Sequence, residues 1–156
     1  MEAALLRAAG TSPGAIVQLA LLDVQLQPAN VSDVNAHGIG TIQGDLSEVR
    51  AIETLFGGSS PPVTAIKGST GHMIAGSGAV EAIMTLLSLR PGCVPPVAGM
   101  QRRDPAVALD AVQDSPRPVK SDPALSNSFG FGGMNTSLVL AGTDWPVLMD
   151  IAETSP

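Results

Sequence analysis

The run from about Thr70 to Leu89, "TGHMIAGSGAVEAIMTLLSL", constrains this chain most. Its pattern predicts a helix that is apolar or small on nearly every side. A helix of that kind has no face to offer water and must be buried all round, so the fold has to supply cover on two sides of it. Ala75, Gly76, Ser77, Gly78 and Ala79 are small enough to let other elements approach closely, and Arg90-Pro91-Gly92 ends the run. Three polar groups nevertheless lie in or just before it: Lys67, His72 and Glu81. A buried carboxylate needs a cationic or hydrogen-bonding partner, and Lys67 is the candidate for Glu81. On the residues alone, that pair reads equally well as a structural ion pair or as part of a site.

The flanking segments alternate helix and strand. Ser12-Pro13 pairs an N-cap with a proline at the first helical position, opening a helix that should stop near Gln27-Pro28. "VSDVNAHG" reads as a strand running into a loop. In "GDLSEVRAIETLFGG", Asp45 and Glu48 have capping-box spacing, Leu46, Val49, Ile52 and Phe56 form one stripe, and Gly57-Gly58 ends the helix. "PVTAIK" is a short strand; 91–120 is proline-rich and reads as a surface excursion with one short strand. "ALSNSFG" and "TSLVLAG" are two strands joined by the glycine turn "GFGG". This alternation indicates an α/β fold. One domain over 1–143 and a tail over 144–156 are expected.

Composition narrows the classes. At 156 residues the chain can bury one real core, and a net charge of −6 without any Lys/Arg run argues against nucleic acid. A single cysteine, Cys93, excludes an internal disulfide framework and fits a reducing compartment. "MEAALLRAAG" lacks the basic start and apolar length of a signal peptide, and "AIVQLALLDVQL" is too short and polar to span a membrane. A cytoplasmic protein is expected.

Common catalytic motifs are missing. Lys67 precedes Gly68, the wrong order for a P-loop, "GIGT" lacks the third glycine of a dinucleotide fingerprint, and no GxSxG elbow occurs. What remains is His37 at a strand-to-loop junction and His72 near the start of the buried helix. Free backbone N–H groups and the dipole at a helix start favour neutral imidazole there. Two neutral imidazoles donating N–H to one oxygen would stabilise an oxyanion. A zinc site built from both histidines and a carboxylate, serving a hydrolase, is a weaker alternative without motif support.

"VNAHGIGT", "IKGSTGHMIAGSGAVEAI" and "NSFGFGGMNTSLVL" resemble, in order and spacing, the C-terminal part of β-ketoacyl-acyl-carrier-protein synthases. The likeness runs from about Ala15 to Ala141. It implies a thiolase-like fold, of which mainly the C-terminal half is present: a mixed sheet, a central helix buried between sheets, and flanking helices. The implied reaction is a decarboxylative Claisen condensation in fatty acid or polyketide synthesis. His37 and His72 match the catalytic histidines, which bind the malonyl thioester carbonyl. Lys67 matches the lysine that orders the site. Glu81 matches the buried glutamate that holds this lysine, with room for a monovalent cation beside it, and Asp45 matches an aspartate of the same polar cluster. Thr41 matches a contact to the phosphopantetheine arm. Phe129 and Phe131 match the glycine-flanked acyl gate. No bound cofactor is required, because the arm arrives on the acyl carrier protein.

The resemblance also implies limits. The family's nucleophilic cysteine belongs to the N-terminal half, which this chain lacks; Cys93, in "RPGCVPP", matches no nucleophile turn and reads as structural. Ile39 and Met134 stand where the family usually has threonine. The chain alone should therefore be inactive and should seek its N-terminal half within a homo- or heterodimer. The alternative is a non-catalytic, chain-length-factor-like subunit. Arg102, Arg103, Arg117 and Lys120 are candidate contacts for an acidic carrier protein.

Overall fold

The computed structural model describes the backbone of residues 2–9 and all of 12–120 and 123–142. A five-stranded mixed sheet forms its centre, in the order β1 (Glu2–Ala9), β7 (Met134–Ala141), β6 (Ala124–Phe129), β2 (Val34–Asn35), β3 (Val63–Thr64). β1, β7 and β6 run antiparallel to their neighbours, whereas β6, β2 and β3 are parallel. β6 and β7 are the strands expected on either side of the glycine turn. β1 was not expected: "EAALLRAA" is rich in helix formers, and pairing along β7 from Glu2↔Ala141 to Ala9↔Met134 overrides that preference.

The pleat sorts side chains to two faces. Val34, Val63 and Leu125 point to one face and join Ile16, Val17, Ala20 and Leu21 of α1 (Pro13–Asp23) and Val49 and Ile52 of α2 (Ile42–Phe56) in the main core. Full burial of side chains this size stabilises by about 1.5–3 kcal/mol each. Ser12 caps α1, accepting from Ala15 N–H at 3.4 Å. This helix ends at Asp23, before the expected Gln27-Pro28, and Gln25 (φ 52) turns the chain away.

The opposite face carries Asn35, Thr64 and Ser126, register neighbours across β3, β2 and β6. It is covered by α4 (Ser77–Leu89), and Leu89, Ala124 and Leu140 form a smaller apolar cluster there. The expected continuous helix is broken. α3 (Lys67–Thr70) stops at Gly71, a turn carries His72, and α4 starts at Ser77. Nor is α4 buried all round. Its sheet-facing stripe is Ser77, Glu81, Thr85 and Ser88, while Ile83 (56% exposed) and Leu87 (48% exposed) face out. The described residues cover one side of the helix, not the two that the apolar pattern led one to expect.

The 91–120 segment is less superficial than its prolines suggest. β4 (Cys93–Val94) and β5 (Arg117–Pro118) pair antiparallel, Ala111 bridges to Val63, and Val94, Leu109 and Val112 are buried. The expected tail, 144–156, lies outside the described residues.

Candidate active site

His37 sits just past the end of β2, where the parallel strands leave the sheet. Gly38 (φ 49) makes the turn, and a Cβ there would come within 2.7 Å of the Ala65 Cβ, so only glycine fits. The loop is clamped from α2. Glu48, 4% exposed, accepts His37 N–H and Gly38 N–H, both at 2.9 Å. Asn127 Nδ2 donates to the same carboxylate at 3.3 Å, and Ser137 Oγ donates to Asn127 Oδ1 at 2.8 Å. A chain of polar groups thus runs from β7 through β6 and α2 to the His37 backbone.

Lys67 opens α3 just after β3, and its ammonium reaches back under His37. Nζ donates to the His37 carbonyl oxygen and to Glu81 Oε1, and lies 3.3 Å from His37 Nδ1. An ammonium has only donors to offer, so Nδ1 is the acceptor and the His37 proton sits on Nε2. Nε2 is buried and has no hydrogen-bond partner among the described residues. Burial first, then the charge of Lys67 and the neighbouring His72, lower the His37 pKa to about 4, so the ring is neutral near pH 7. Burial pushes the Glu81 carboxyl up, while the Lys67 ammonium bonded to it and His72 pull it back down. Burial likewise raises Glu48, against the N–H groups of Gly38, His37 and Asn127 and the charge of Lys67.

His72 stands on the exposed turn after Gly71. Ile74 N–H donates to its Nδ1 at 3.1 Å, which again leaves the proton on Nε2. The two imidazoles meet edge to face, with ring centres 5.6 Å apart and planes at 80°. Phe129 also lies against His37, tilted at 56° with 5.9 Å between ring centres. The site therefore holds two imidazoles, each accepting at Nδ1 from an internal donor, which leaves a proton on each Nε2. That pair can bind an oxygen that becomes negative.

The sequence-expected residues fall into three groups. His37, Lys67, His72, Glu81 and Phe129 come together. Thr41 caps α2, accepting from Gly44 N–H at 3.3 Å, and is exposed at the edge of the His37 loop. Phe131 is 97% exposed on the glycine turn between β6 and β7, where Gly132 (φ 72) and Gly133 (φ 74) are left-handed. Asp45 needs correcting. Its Oδ1 accepts Gly40 N–H at 3.0 Å and steadies the loop; the carboxylate wired to His37 is Glu48. The capping box is also wrong, because α2 starts earlier and Thr41 is its cap. As for the zinc alternative, no group of three His, Cys, Asp or Glu among the described residues is placed to hold a metal ion.

Glu48, Asn35 and Asn127 are the polar partners that sequence reasoning missed. Glu48 carried a usable signal, a carboxylate between Leu46 and Val49 on an apolar stripe, but its capping-box spacing absorbed it.

The sequence profile described as "Beta-ketoacyl synthase, C-terminal domain" matches residues 2–101. The chain belongs to the β-ketoacyl synthase family. It is 42% identical over 129 residues to 3-oxoacyl-[acyl-carrier-protein] synthase 2 of Mycobacterium tuberculosis, covering 83% of this chain and 31% of that protein. It is also 42% identical over 121 residues to the synthase of the same name in Synechocystis, covering 76% and 29%. A β-ketoacyl synthase structure from Burkholderia phymatum aligns with a TM-score of 0.80 at 30% identity, over 88% of this chain and 35% of that one. A ketosynthase of Xenorhabdus doucetiae, solved in complex with its chain length factor, aligns at 0.77 and 30%, over 88% and 37%. The chain thus spans about a third of the length of these relatives. It has the thiolase-like α/β fold of the ketosynthases and corresponds to their C-terminal domain.

Proposed function

We propose that this chain is the decarboxylating portion of a β-ketoacyl-acyl-carrier-protein synthase of fatty acid or polyketide synthesis. It completes its site by joining an N-terminal half that carries the nucleophilic cysteine. The observation that carries the reading is the arrangement that His37 and His72 share: both Nδ1 atoms accept from internal donors, so both rings offer an Nε2–H. The malonyl thioester carbonyl oxygen accepts from both. As the bond to the carboxylate breaks, carbon dioxide leaves and the electron pair moves onto that oxygen as an enolate, which the two N–H groups stabilise. The enolate carbon then attacks the acyl thioester on the other half's cysteine; the new carbon–carbon bond replaces the carbon–sulfur bond, and the cysteine leaves as its thiolate. Lys67 and Glu81 hold His37 in register for this. Thr41 contacts the phosphopantetheine arm, and Phe129 and Phe131 gate the acyl chain.

A monovalent cation beside Glu81 fits the residues present. Asn35 Oδ1, Thr64 Oγ1, Ser126 Oγ and Glu81 Oε2 are buried oxygens without a hydrogen-bond partner among the described residues. Asn35, Thr64 and Ser126 are register neighbours on the face that α4 covers, and Asn35 Nδ2 donates to the Glu81 carbonyl oxygen at 3.1 Å. All-oxygen donors with one carboxylate suit a hard cation of low charge, which would balance the second carboxylate oxygen.

The exposed Ile83–Leu87 side of α4 is the surface for the N-terminal half, because an apolar stripe of this kind is otherwise left to water. The acyl carrier protein docks through local basic residues. Arg103 is engaged with Ala111 O and Arg117 with Asp110, so Arg102 and Lys120 carry this role. The test is co-expression with a cysteine-bearing N-terminal half and an assay of carbon dioxide release from malonyl carrier protein. Soluble complex without release would sink the proposal. A chain-length-factor-like role is the second reading, motivated by relatives solved as ketosynthase–chain length factor pairs; release unaffected by His72→Ala would favour it.

A further inference from the structure

We infer that Ser77 is a positioning residue for His72, holding its ring in the Nε2–H state through the first hydroxyl of α4. The inference rests on the proposed role of His72 for its meaning but not for its geometry. Ser77 is 3% exposed and sits where α4 begins, beneath the turn that carries the histidine. Its Oγ accepts Met73 N–H at 2.9 Å and lies 3.1 Å from His72 Nδ1. His72 Nδ1 accepts Ile74 N–H and so carries no proton, which leaves the Ser77 hydroxyl as the donor of this contact.

The same Nδ1 accepts Ile74 N–H at 3.1 Å, and Ile74 itself is held at φ 52. A β-branched residue in the left-handed region is a genuine outlier that persists only where its surroundings enforce it. Ser77 is placed to enforce it. One hydroxyl ties the helix start to Met73 N–H, so the strained residue lies between two fixed points and its N–H is turned onto the imidazole. A proton on Nδ1 would meet two donors at once. Both contacts therefore select the tautomer whose N–H points outward from Nε2.

The measurement is magic-angle-spinning ¹⁵N NMR of the histidine ring nitrogens in the full chain, which tolerates self-association. In the wild type, His72 Nδ1 should appear unprotonated and Nε2 protonated; the reverse assignment overturns the inference whatever the variants do. Ser77→Ala should lower the Nε2–H to Nδ1–H ratio by about fivefold, the weight of one neutral hydrogen bond. Ser77→Thr, which keeps the hydroxyl, should stay within about twofold of wild type. A folded Ser77→Ala chain with the wild-type ratio, or Ser77→Thr shifted as far as Ser77→Ala, overturns it. His37, fixed by Lys67, is the internal control and should not move. The readout involves no turnover, so it can fail while the ketosynthase reading stands, and the converse also holds.

Discussion

Lys67 and His37 are joined at two points: the ammonium donates to the His37 carbonyl oxygen and faces its Nδ1 at 3.3 Å. One side chain thereby fixes both the backbone and the ring tautomer of a histidine that lies 30 residues earlier. Glu81 compensates the charge that does this.

Removing that compensation should be costly. Glu81→Gln removes the ion-pair partner of the buried Lys67 ammonium, and loss of one partner of a buried pair typically costs about 3–5 kcal/mol. Denaturant melts of the variant and wild type, each in complex with the N-terminal half, check this. A loss under about 1 kcal/mol would show that Lys67 swings to solvent instead.

Glu48→Gln should loosen the His37 loop. The amide keeps one acceptor oxygen but turns an NH₂ towards a backbone N–H, leaving a buried donor unsatisfied at about 1–3 kcal/mol. Amide hydrogen exchange at His37 and Gly38 should quicken by tenfold or more, on the order expected for that loss.

Much of this was legible because polar chemistry stands out in an apolar run, and for Lys67 and Glu81 because it is costly to bury. Lys67, His72 and Glu81 stood out against small apolar neighbours, and glycines marked the His37 turn and the β6–β7 turn. Three things were not legible. Helix-forming residues in 2–9 concealed a strand set by its partner β7. Glu48 concealed a site role behind a capping spacing. The apolar pattern of α4 suggested a helix buried all round, whereas the polar residues Ser77, Glu81, Thr85 and Ser88 are the ones facing this chain's own sheet and Ile83 and Leu87 are exposed.

Two groups give opposite pH dependence. Burial lowers His37 from 6.5 to about 4, so between these values the unfolded chain holds the proton and stability rises with pH. Burial raises Asp33 from 3.8 to about 6, against the Ser32 hydroxyl bonded to it; between these values the folded chain holds the proton and stability falls with pH. In the wild type they largely offset from pH 4 to 6. Asp33→Asn removes the second, so its stability relative to wild type should increase by up to about 3 kcal/mol from pH 4 to 7. Equal pH profiles for the two proteins would contradict this.

The open face of α4 should govern association. Ile83→Lys with Leu87→Glu should shift the isolated chain towards monomer in sedimentation velocity and weaken its capture by the N-terminal half by a hundredfold or more, as expected for losing two buried anchors. A wild-type chain that is already a monodisperse monomer would contradict the assignment of that face.

The most direct test measures carbon dioxide release from malonyl carrier protein by the complex of this chain with a cysteine-bearing N-terminal half. His37→Ala and His72→Ala should each lower the rate by about 10²–10³, the usual weight of one oxyanion donor. Release at the wild-type rate by both variants, in complexes as stable as the parent, would contradict the account.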